Sequence, residues 1–326
     1  MSEHDAAVPW ISAERLRRLV PVPAAIDAVR EAFLAASAGA IEQPTRLALE
    51  GGRALAMLAA DREGGTVLKA VTVRPGNAGG PHPVVQAVVV WFDGATGAPA
   101  AVIDGTALTA LRTGAASGVA TELLAPLHAR VLAMIGAGGQ APDQVRAVCA
   151  VRRIGEVRVA SRDPAHAVTL AARLQGELPA IRVIATGVRE AVAAADVICT
   201  ATTARAPLFE AGDLAADVHV NAVGAYTPAM CELPTDLLAT ASVIAVDQLG
   251  AAMAEAGDLL RAIHAGRLAR ERLVELGALL AAGGERPAGR SVFKSVGIAA
   301  QDWALARLAV EHAAAGAAGA DTAGRR

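Results

Sequence analysis

One short stretch limits what this chain can fold into more than any other. The apolar run Val131–Ile135 is followed at once by Gly136-Ala137-Gly138-Gly139-Gln140-Ala141 and then by a helical pattern. The spacing G-x-G-x-x-A lets the backbone turn tightly and approach a pyrophosphate that sits on the N-terminus of the helix. Because the pattern follows a strand and opens a helix, Gly136 and Gly138 predict a dinucleotide site.

The part of the chain after Pro126 alternates strands with helices. The strands are continuous apolar runs, which is typical of parallel strands covered on both faces. They are predicted at Val131–Ile135, Val157–Ala160, Ile181–Ile184, Val197–Thr200, Val218–Ala222, Val243–Val246 and Val292–Lys294. We therefore expect residues 126–298 to form an α/β Rossmann-type domain with a doubly wound parallel sheet.

Residues 1–125 follow a different pattern, which predicts an α+β domain. Ala13–Ala40 and Leu108–Leu124 have helical patterns, and Arg112 and Thr113 fall in the first turns of the second helix. Between them lie short β-leaning runs split by glycine, proline and asparagine: Arg53–Ala59, Thr66–Val73, Val84–Phe92 and Ala98–Ile103. A last helix at 299–312 is expected to return to this domain. The Ala/Gly-rich residues 313–326 are predicted to be disordered.

Composition excludes several classes of protein. The 326-residue chain suits two domains, and 54% hydrophobic residues are ample for a core. A net charge of −2 gives no argument for a nucleic-acid or membrane partner. The three cysteines are widely spaced, so neither a disulfide framework nor a metal site is expected. Glu3 and Asp5 stand where a secretory signal would be apolar, and no apolar run is long enough to span a membrane, so we expect a cytoplasmic protein.

The end of the second Rossmann strand bears on the choice of dinucleotide. NAD-preferring sites usually place Asp or Glu there, where it accepts from the ribose 2′-hydroxyl. Here Ser161 occupies that place and Arg162 follows. A hydroxyl and a guanidinium suit a 2′-phosphate, so NADPH is expected to be preferred over NADH. Asp163 stays an alternative, because a register shift of two residues would restore the acid and leave Arg162 in solvent.

Arg46, Lys69 and Arg112 are cations among apolar or small residues of the first domain. Buried cations are rare unless they are paired, so cations facing a cleft indicate an anionic ligand. Each alone is more often an ordinary ion-pair partner, and sequence spacing does not bring the three together.

Several motifs in order make the chain resemble the ornithine cyclodeaminase/mu-crystallin family over nearly its whole length. They are Q-P-T-R at Gln43–Arg46, Lys69, D-G-x-x-L-T-x-L-R-T at Asp104–Thr113, I-G-A-G-G-Q-A at Ile135–Ala141, T-A-T-T at Thr200–Thr203, V-G-A-Y-T-P at Val223–Pro228, E-A-G-D-L at Glu255–Leu259 and F-K-S-V-G at Phe293–Gly297.

The resemblance implies a homodimer built by the first domain, which also holds the substrate. It implies that Arg46, Lys69 and Arg112 hold the carboxylate of an amino or imino acid. It also implies a set of cofactor contacts: Thr113, Gly139, Gln140, Ser161, Thr202 and Val223, with Ser295 in a segment that approaches the nicotinamide.

Two departures from the family pattern bear on the reaction. Ornithine cyclodeaminases have Glu at the position of Leu55 and Asp at the position of Tyr226, so neither carboxylate is present here. Expelling ammonia needs a poised acid/base, whereas reducing a cyclic ketimine asks for less. The chain is therefore expected to reduce Δ1-pyrroline-2-carboxylate or Δ1-piperideine-2-carboxylate to L-proline or L-pipecolate, with Lys69 and Arg112 as catalytic residues.

Three alternatives stay open at this point. They are an ornithine cyclodeaminase with a rewired acid/base, a dehydrogenase that makes alanine or an N-alkyl amino acid, and a non-enzymatic binding protein. Retention of the three cations disfavours the last. His82, in a P-H-P loop, is expected to be a surface histidine, and Tyr226 is expected to shape the substrate pocket rather than donate a proton.

Overall fold

The computed structural model describes residues 7–61, 64–77, 80–284, 286 and 288–323. The residues at the start that entered the signal-peptide argument, and residues 324–326, lie outside this range. The chain divides into two compact units, one made of Met1–Arg112 and Ile298–Arg326 and the other of Thr113–Gly297.

Strands and helices alternate in blocks along the chain. The strands are β1 (Trp10–Ile11), β2 (Ile41–Glu42), β3 (Leu47–Leu49), β4 (Ala54–Asp61), β5 (Gly65–Val73), β6 (Val85–Phe92), β7 (Pro99–Asp104), β8 (Val131–Ile135), β9 (Glu156–Ala160), β10 (Arg182–Ala185), β11 (Val197–Thr200), β12 (His219–Ala222), β13 (Val243–Val246), β14 (Leu273–Glu275) and β15 (Ser291–Lys294). The helices are α1 (Ala13–Leu19), α2 (Val22–Ser37), α3 (Gly105–Leu124), α4 (Ala141–Val151), α5 (Pro164–Glu177), α6 (Val188–Val192), α7 (Thr235–Thr240), α8 (Leu249–Glu255), α9 (Gly257–His264), α10 (Leu276–Ala282) and α11 (Ala299–Ala323).

The first unit is an α+β layer. Its sheet has the strand order β1-β7-β6-β5-β4-β2, with β3 paired to β4, and it is antiparallel except where β1 meets β7. Helix α11 packs against α2 and against β4 and β5. Side chains of β5 alternate between buried and outward positions, so Val67, Lys69 and Val71 share the buried face.

The second unit is a parallel sheet of eight strands in the order β10-β9-β8-β11-β12-β15-β13-β14. The order reverses between β8 and β11, which is the switch point where doubly wound sheets bind ligands beside the carboxyl ends of their strands. Two apolar clusters, one on each side of the sheet, contain residues such as Leu132 and Ile198. The predicted α/β fold with a doubly wound parallel sheet is confirmed.

Several features differ from the sequence-based expectations, among them the short strands β1, β2 and β3, which were not predicted. The helix predicted at Ala13–Ala40 is two helices, because Pro21 caps α2 and its ring is incompatible with a continuous helix there. Helix α3 begins earlier than predicted, where the Asp104 side chain accepts from the backbone N–H of Ala107 at 2.9 Å. The division of the chain into two units falls between Arg112 and Thr113 of this helix rather than after it. Strand β14 was missed because three residues carry too little pattern.

The C-terminal helix is longer than the sequence suggests. Disorder was predicted from residue 313, but α11 continues to Ala323, because alanine has the highest helix propensity of any residue. Residues 324–326 of that predicted tail are not described.

Among the described residues, no helix combines the length and the apolar character that crossing a membrane requires. The same part of the chain contains no cluster of three His, Cys, Asp or Glu side chains that would hold a metal ion.

His219 opens β12 and is fully buried. Its ring nitrogens lie 3.0 Å from Ser291 Oγ and 3.1 Å from Asn221 Oδ1. Burial lowers the pKa of His219 from its usual 6.5 to about 3, so the ring is neutral in the folded protein near neutral pH.

We expect the free energy of unfolding to fall as the pH drops below 6.5, because the unfolded chain then protonates His219 while the folded chain resists this until about pH 3. One such proton corresponds to a slope of about 1.4 kcal/mol per pH unit. Denaturant titrations at a series of pH values measure it. His219→Gln should lose this slope and the exposed control His82→Gln should keep it; equal slopes in both variants would contradict the assignment.

Candidate active site

The first unit buries two cations around one carboxylate. Lys69 of β5 and Arg112 of α3 are 1% and 5% exposed, and Asp302 of α11 is 0% exposed. Lys69 Nζ lies 2.8 Å from each carboxylate oxygen of Asp302, and Arg112 Nε lies 3.2 Å from Oδ1. Arg112 also donates to the side-chain oxygen of the buried residue Gln301. We call Lys69, Arg112, Gln301 and Asp302 the cation cluster.

The cation cluster has more positive than negative charge. Burial lowers the pKa of Lys69 to about 7, against the attraction of Asp302, and the charges of Arg112 and Arg46 lower it further. When Lys69 is protonated, one carboxylate faces two buried cations, and the charge of Arg46 also acts on Lys69. A singly charged anion would complement this excess, since ion pairs in a site of low dielectric constant are strong.

The Q-P-T-R motif is connected to the same cluster through α11. The side chain of Gln43 accepts from the backbone N–H of Ala300 at 2.9 Å and so caps the helix that carries Gln301 and Asp302. Arg46, which follows three residues after Gln43, is half-buried. The same motif therefore supplies the cap of α11 and a cation whose charge acts on Lys69.

Leu55 lies on the same face of the sheet as Lys69. Lys69 is opposite Met57 across the β4–β5 ladder, and Leu55 is two residues from Met57, so strand alternation places all three on one side. Leu55 is 8% exposed. An apolar side chain therefore stands on the face of the cation cluster where cyclodeaminases are expected to have a carboxylate.

The loop between β8 and α4 fits a pyrophosphate. Gly136 has φ of +111°, and a Cβ there would lie 2.4 Å from the carbonyl oxygen of Ala201, so only glycine is compatible with this close approach. Gly138 and Gly139 are exposed, and a Cβ on either would meet no atom within 4 Å. The backbone on that side is therefore open to a ligand.

The start of α4 leaves donors for an anion. Gln140 is its N-cap residue but makes no side-chain cap, so no side-chain acceptor occupies this helix start. The N–H of Ala141 donates to the carbonyl of Gly138, and Pro142 has no N–H, so the N–H of Asp143 is the donor of the first turn that points to a ligand. The buried Oε1 of Gln140 has no hydrogen-bond partner within the described part of the chain and, as an acceptor, suits a hydroxyl donor rather than a phosphate. The uncapped helix start beside the open glycine loop fits a dinucleotide phosphate.

Ser161 is the first residue after β9, and Arg162 next to it is exposed. Asp163 is the N-cap of α5, where its carboxylate accepts from the backbone N–H of Ala165 at 2.9 Å. The strand end is therefore occupied by Ser161, and Asp163 stands two residues further on as the cap of α5.

A buried acidic side chain joins the ends of β11 and β12. Oε2 of Glu232 accepts from the Thr200 hydroxyl at 2.9 Å and from the N–H of Gly224 at 2.8 Å. Its Oε1 accepts from both the N–H and the hydroxyl of Thr202, at 2.7 and 2.8 Å. Glu232 therefore holds in place the two loops that carry Thr202 and Val223.

A second ion pair, between Lys294 and Asp258, holds the backbone of Glu232. Asp258 accepts from the N–H groups of Glu232 and Leu233 at 2.6 and 2.9 Å, and Lys294 Nζ lies 3.0 Å from its other oxygen. All three charged side chains are fully or almost fully buried. We call Glu232, Asp258 and Lys294 the glutamate network; it joins the motifs that contain Thr202, Val223, Asp258 and Lys294, which are far apart in the sequence.

Ser295 lies just beyond β15 and is held by Asp247. The carboxylate of Asp247 accepts from the Ser295 hydroxyl at 2.9 Å and from the N–H groups of Val296 and Gly297 at 2.9 and 2.7 Å. The turn after Lys294 is thus shaped by a buried carboxylate, and the hydroxyl hydrogen of Ser295 is directed to it.

The remaining predicted residues lie in separate places. Thr113 follows Arg112 in α3 and is buried, and Tyr226 is half-buried in the loop after β12. Sequence reasoning missed the acidic and amide partners, which are Glu232, Asp247, Asp258, Gln301 and Asp302. A signal was present for Lys294: a lysine inside an apolar parallel strand must find a buried acid.

We expect Glu232→Gln to lower the free energy of unfolding by about 2–4 kcal/mol, because the new NH₂ would face donors and leave buried groups unsatisfied. Denaturant unfolding followed by circular dichroism measures the loss. The exposed control Glu271→Gln should stay within about 0.5 kcal/mol of the wild type. If Glu232→Gln lowers the free energy of unfolding no more than the control does, the hydrogen bonds of Glu232 do not contribute to stability as expected.

Known proteins resemble this chain over most of its length. Residues 11–317 match the model of the ornithine cyclodeaminase/mu-crystallin family. A Δ1-pyrroline-2-carboxylate reductase of Bacillus cereus is 38% identical over 250 residues, covering 76% of this chain and 77% of that protein.

Two solved structures have the same fold. The Δ1-pyrroline-2-carboxylate reductase of Thermococcus litoralis, in complex with NADH and L-proline, superposes with a TM-score of 0.90 at 32% identity, over 95% of this chain and 98% of that one. An archaeal alanine dehydrogenase dimer with bound NAD has a TM-score of 0.86 at 32% identity, over 94% of this chain and 96% of that one. The chain belongs to the ornithine cyclodeaminase/mu-crystallin family.

Proposed function

We propose that this protein reduces a cyclic ketimine, Δ1-pyrroline-2-carboxylate or Δ1-piperideine-2-carboxylate, to L-proline or L-pipecolate. The observation that carries the proposal is the buried cation cluster, whose excess charge suits one carboxylate, together with the apolar Leu55 on the same face of the sheet. The similarity to Δ1-pyrroline-2-carboxylate reductases supports the choice of substrate.

The residues of the cation cluster would bind and orient the substrate. Arg46 and Arg112 hold its carboxylate, and Lys69 hydrogen-bonds either the carboxylate or the imine nitrogen. Two fixed cations would hold the carboxylate in one orientation relative to the hydride donor. Such positioning supplies a large part of the rate enhancement in sites of this kind. Leu55 keeps the surroundings apolar, and Tyr226 shapes the pocket around the ring.

A nicotinamide dinucleotide would supply the hydride when bound. The residues that fit it are Thr113, Gly136, Gly138, Gly139, Gln140, Ser161, Arg162, Thr202, Val223 and Ser295. Among these, the open glycine loop and the uncapped start of α4 fit the pyrophosphate, and the glutamate network keeps the strand ends in one arrangement.

An amino-acid dehydrogenase is the second candidate. It is favoured by the likeness to the archaeal alanine dehydrogenase, because the same cations would hold the carboxylate of a keto acid. Ornithine cyclodeamination is disfavoured, since Leu55 and Tyr226 do not shuttle protons near neutral pH as carboxylates do.

A single assay separates these functions. We expect NADPH oxidation with the two cyclic ketimines, slower oxidation with pyruvate plus ammonia or methylamine, and no ammonia from L-ornithine. Faster turnover of pyruvate would favour the dehydrogenase, and release of ammonia from ornithine would favour the cyclodeaminase.

Lys69→Ala should lower kcat/KM for the ketimine by about 30- to 1,000-fold, corresponding to about 2–4 kcal/mol, while NADPH binding persists. The control variant Arg53→Ala, at an exposed position, should leave kcat/KM unchanged.

We also propose that NADPH is preferred over NADH by roughly ten- to a hundredfold in kcat/KM, because Ser161 and Arg162 suit the 2′-phosphate and Asp163 is engaged as a helix cap. Steady-state kinetics with both cofactors at saturating ketimine measure the ratio. Ser161→Asp should weaken the use of NADPH far more than that of NADH, because it adds negative charge beside the phosphate. A wild-type ratio at or below one would contradict this proposal.

Finally, we propose that the first unit forms a homodimer through the outward face of its sheet. That face exposes large apolar side chains, which mark interfaces when they are contiguous: Leu47, Leu49, Leu58, Leu68 and Val88, each 37–60% exposed. Sedimentation should give a dimer at micromolar concentration, and Leu68→Glu should shift it toward the monomer. Leu127→Glu, at an 85% exposed position of the second unit, is the matched control. A monomeric wild type would rule the dimer out.

A further inference from the structure

The orientation of the Gln301 side chain follows from its neighbour. Arg112 donates through Nη1 to Oε1 of Gln301, and a guanidinium has donors only. The amide oxygen must therefore face Arg112, which fixes the NH₂ group on the other side of the amide. The reverse orientation of the amide would place donor against donor.

The NH₂ group of Gln301 is buried without an acceptor. The residue is 0% exposed, and its Nε2 has no hydrogen-bond partner in the part of the chain that the structure describes. A buried donor left unsatisfied costs free energy, so such a group needs a specific explanation.

The neighbouring acceptor is already used by other donors. Both oxygens of Asp302 accept from Lys69, and Oδ1 also faces Arg112 Nε. Nε2 makes no hydrogen bond to either oxygen, so its acceptor comes from outside the cation cluster. The excess positive charge of that cluster selects an acceptor that carries negative charge, and the start of α11 adds the positive end of a helix dipole.

We propose that the NH₂ group of Gln301 donates a hydrogen bond to the carboxylate of the substrate, next to Arg112. Gln301 is then a substrate-binding residue in its own right, and Asp302 is the positioning residue that holds Lys69 and Arg112 for the same carboxylate. This inference rests on the proposed function for the identity of the substrate. The NH₂ group of Gln301 would orient the carboxylate through a directional hydrogen bond without adding a further positive charge.

Two variants separate substrate binding from support of Arg112. Gln301→Glu keeps an oxygen acceptor for Arg112 but replaces the NH₂ donor by a negatively charged oxygen. Gln301→Met removes the donor and the acceptor at similar volume. If Gln301 only supported Arg112, the Met variant would be the more impaired of the two, because the Glu variant keeps the acceptor and acts on the ligand only through its added charge.

The affinity for pyrrole-2-carboxylate, a planar carboxylate that cannot be reduced, is measured by titration into the NADPH-bound enzyme. The KM and kcat of the ketimine are measured for the same variants. Gln301→Glu should weaken binding of the probe and raise the KM of the ketimine by roughly 100-fold, with folding and NADPH affinity unchanged. Gln301→Met should raise KM by roughly tenfold with a smaller change in kcat, as expected for uniform binding.

The outcomes distinguish this inference from the proposed function. If Gln301→Glu binds the probe as tightly as the wild type does, the inference is wrong. The proposal of ketimine reduction is unaffected by that result. Probe binding that depends on Gln301, without turnover of any ketimine, overturns the proposed function and supports the inference. Absence of probe binding in the wild type overturns the inference, since a buried water would then be the partner of Nε2.

Discussion

A lysine ammonium buried away from water needs a carboxylate beside it, and this requirement organises both units. In the first unit Lys69 meets Asp302 at 2.8 Å, and in the second Lys294 meets Asp258 at 3.0 Å. In each pair a strand supplies the lysine and a helix supplies the aspartate. Removing Lys294 would leave two buried carboxylates without their cation, which is strongly destabilising, whereas Asp302 would still face Arg112 if Lys69 were removed. The positions of the strands and helices around the two pairs are therefore tightly coupled.

The two ionic clusters differ in how complete they are. The glutamate network has two carboxylates and one lysine, and its extra negative charge is met by N–H and hydroxyl donors at the ends of β11 and β12. The cation cluster has two cations, one carboxylate and an amide donor without an acceptor. In the first arrangement both oxygens of Glu232 accept hydrogen bonds from the protein, and Asp258 Oδ2 and Lys294 Nζ are held by their ion pair. In the second, the amide donor of Gln301 has no acceptor among the described residues, which is what the proposed anion site would leave open.

The chain departs from the cyclodeaminase pattern at one position in each unit. Leu55 of the first unit and Tyr226 of the second stand where cyclodeaminases are expected to have carboxylates. Under the proposed function, the cations of the first unit would clamp an anion without this pair of carboxylates. The same clamp is compatible with a ketimine or a keto acid, so the shape around the ring, rather than the charges, decides between those substrates.

Much of the fold and part of the site follow from the sequence alone, because helix and strand periodicity are local properties. Three strands of the parallel sheet, at Val131–Ile135, Val197–Thr200 and Val243–Val246, coincide with their predicted ranges. The dinucleotide loop and the three cations were also found as residue types in a pattern. The partners of those cations were not found. Asp302 is 233 residues from Lys69, and no local pattern joins them. Only the tertiary structure decided which acid neutralises which base, because burial makes pairing obligatory and the packing of strand against helix selects the partner.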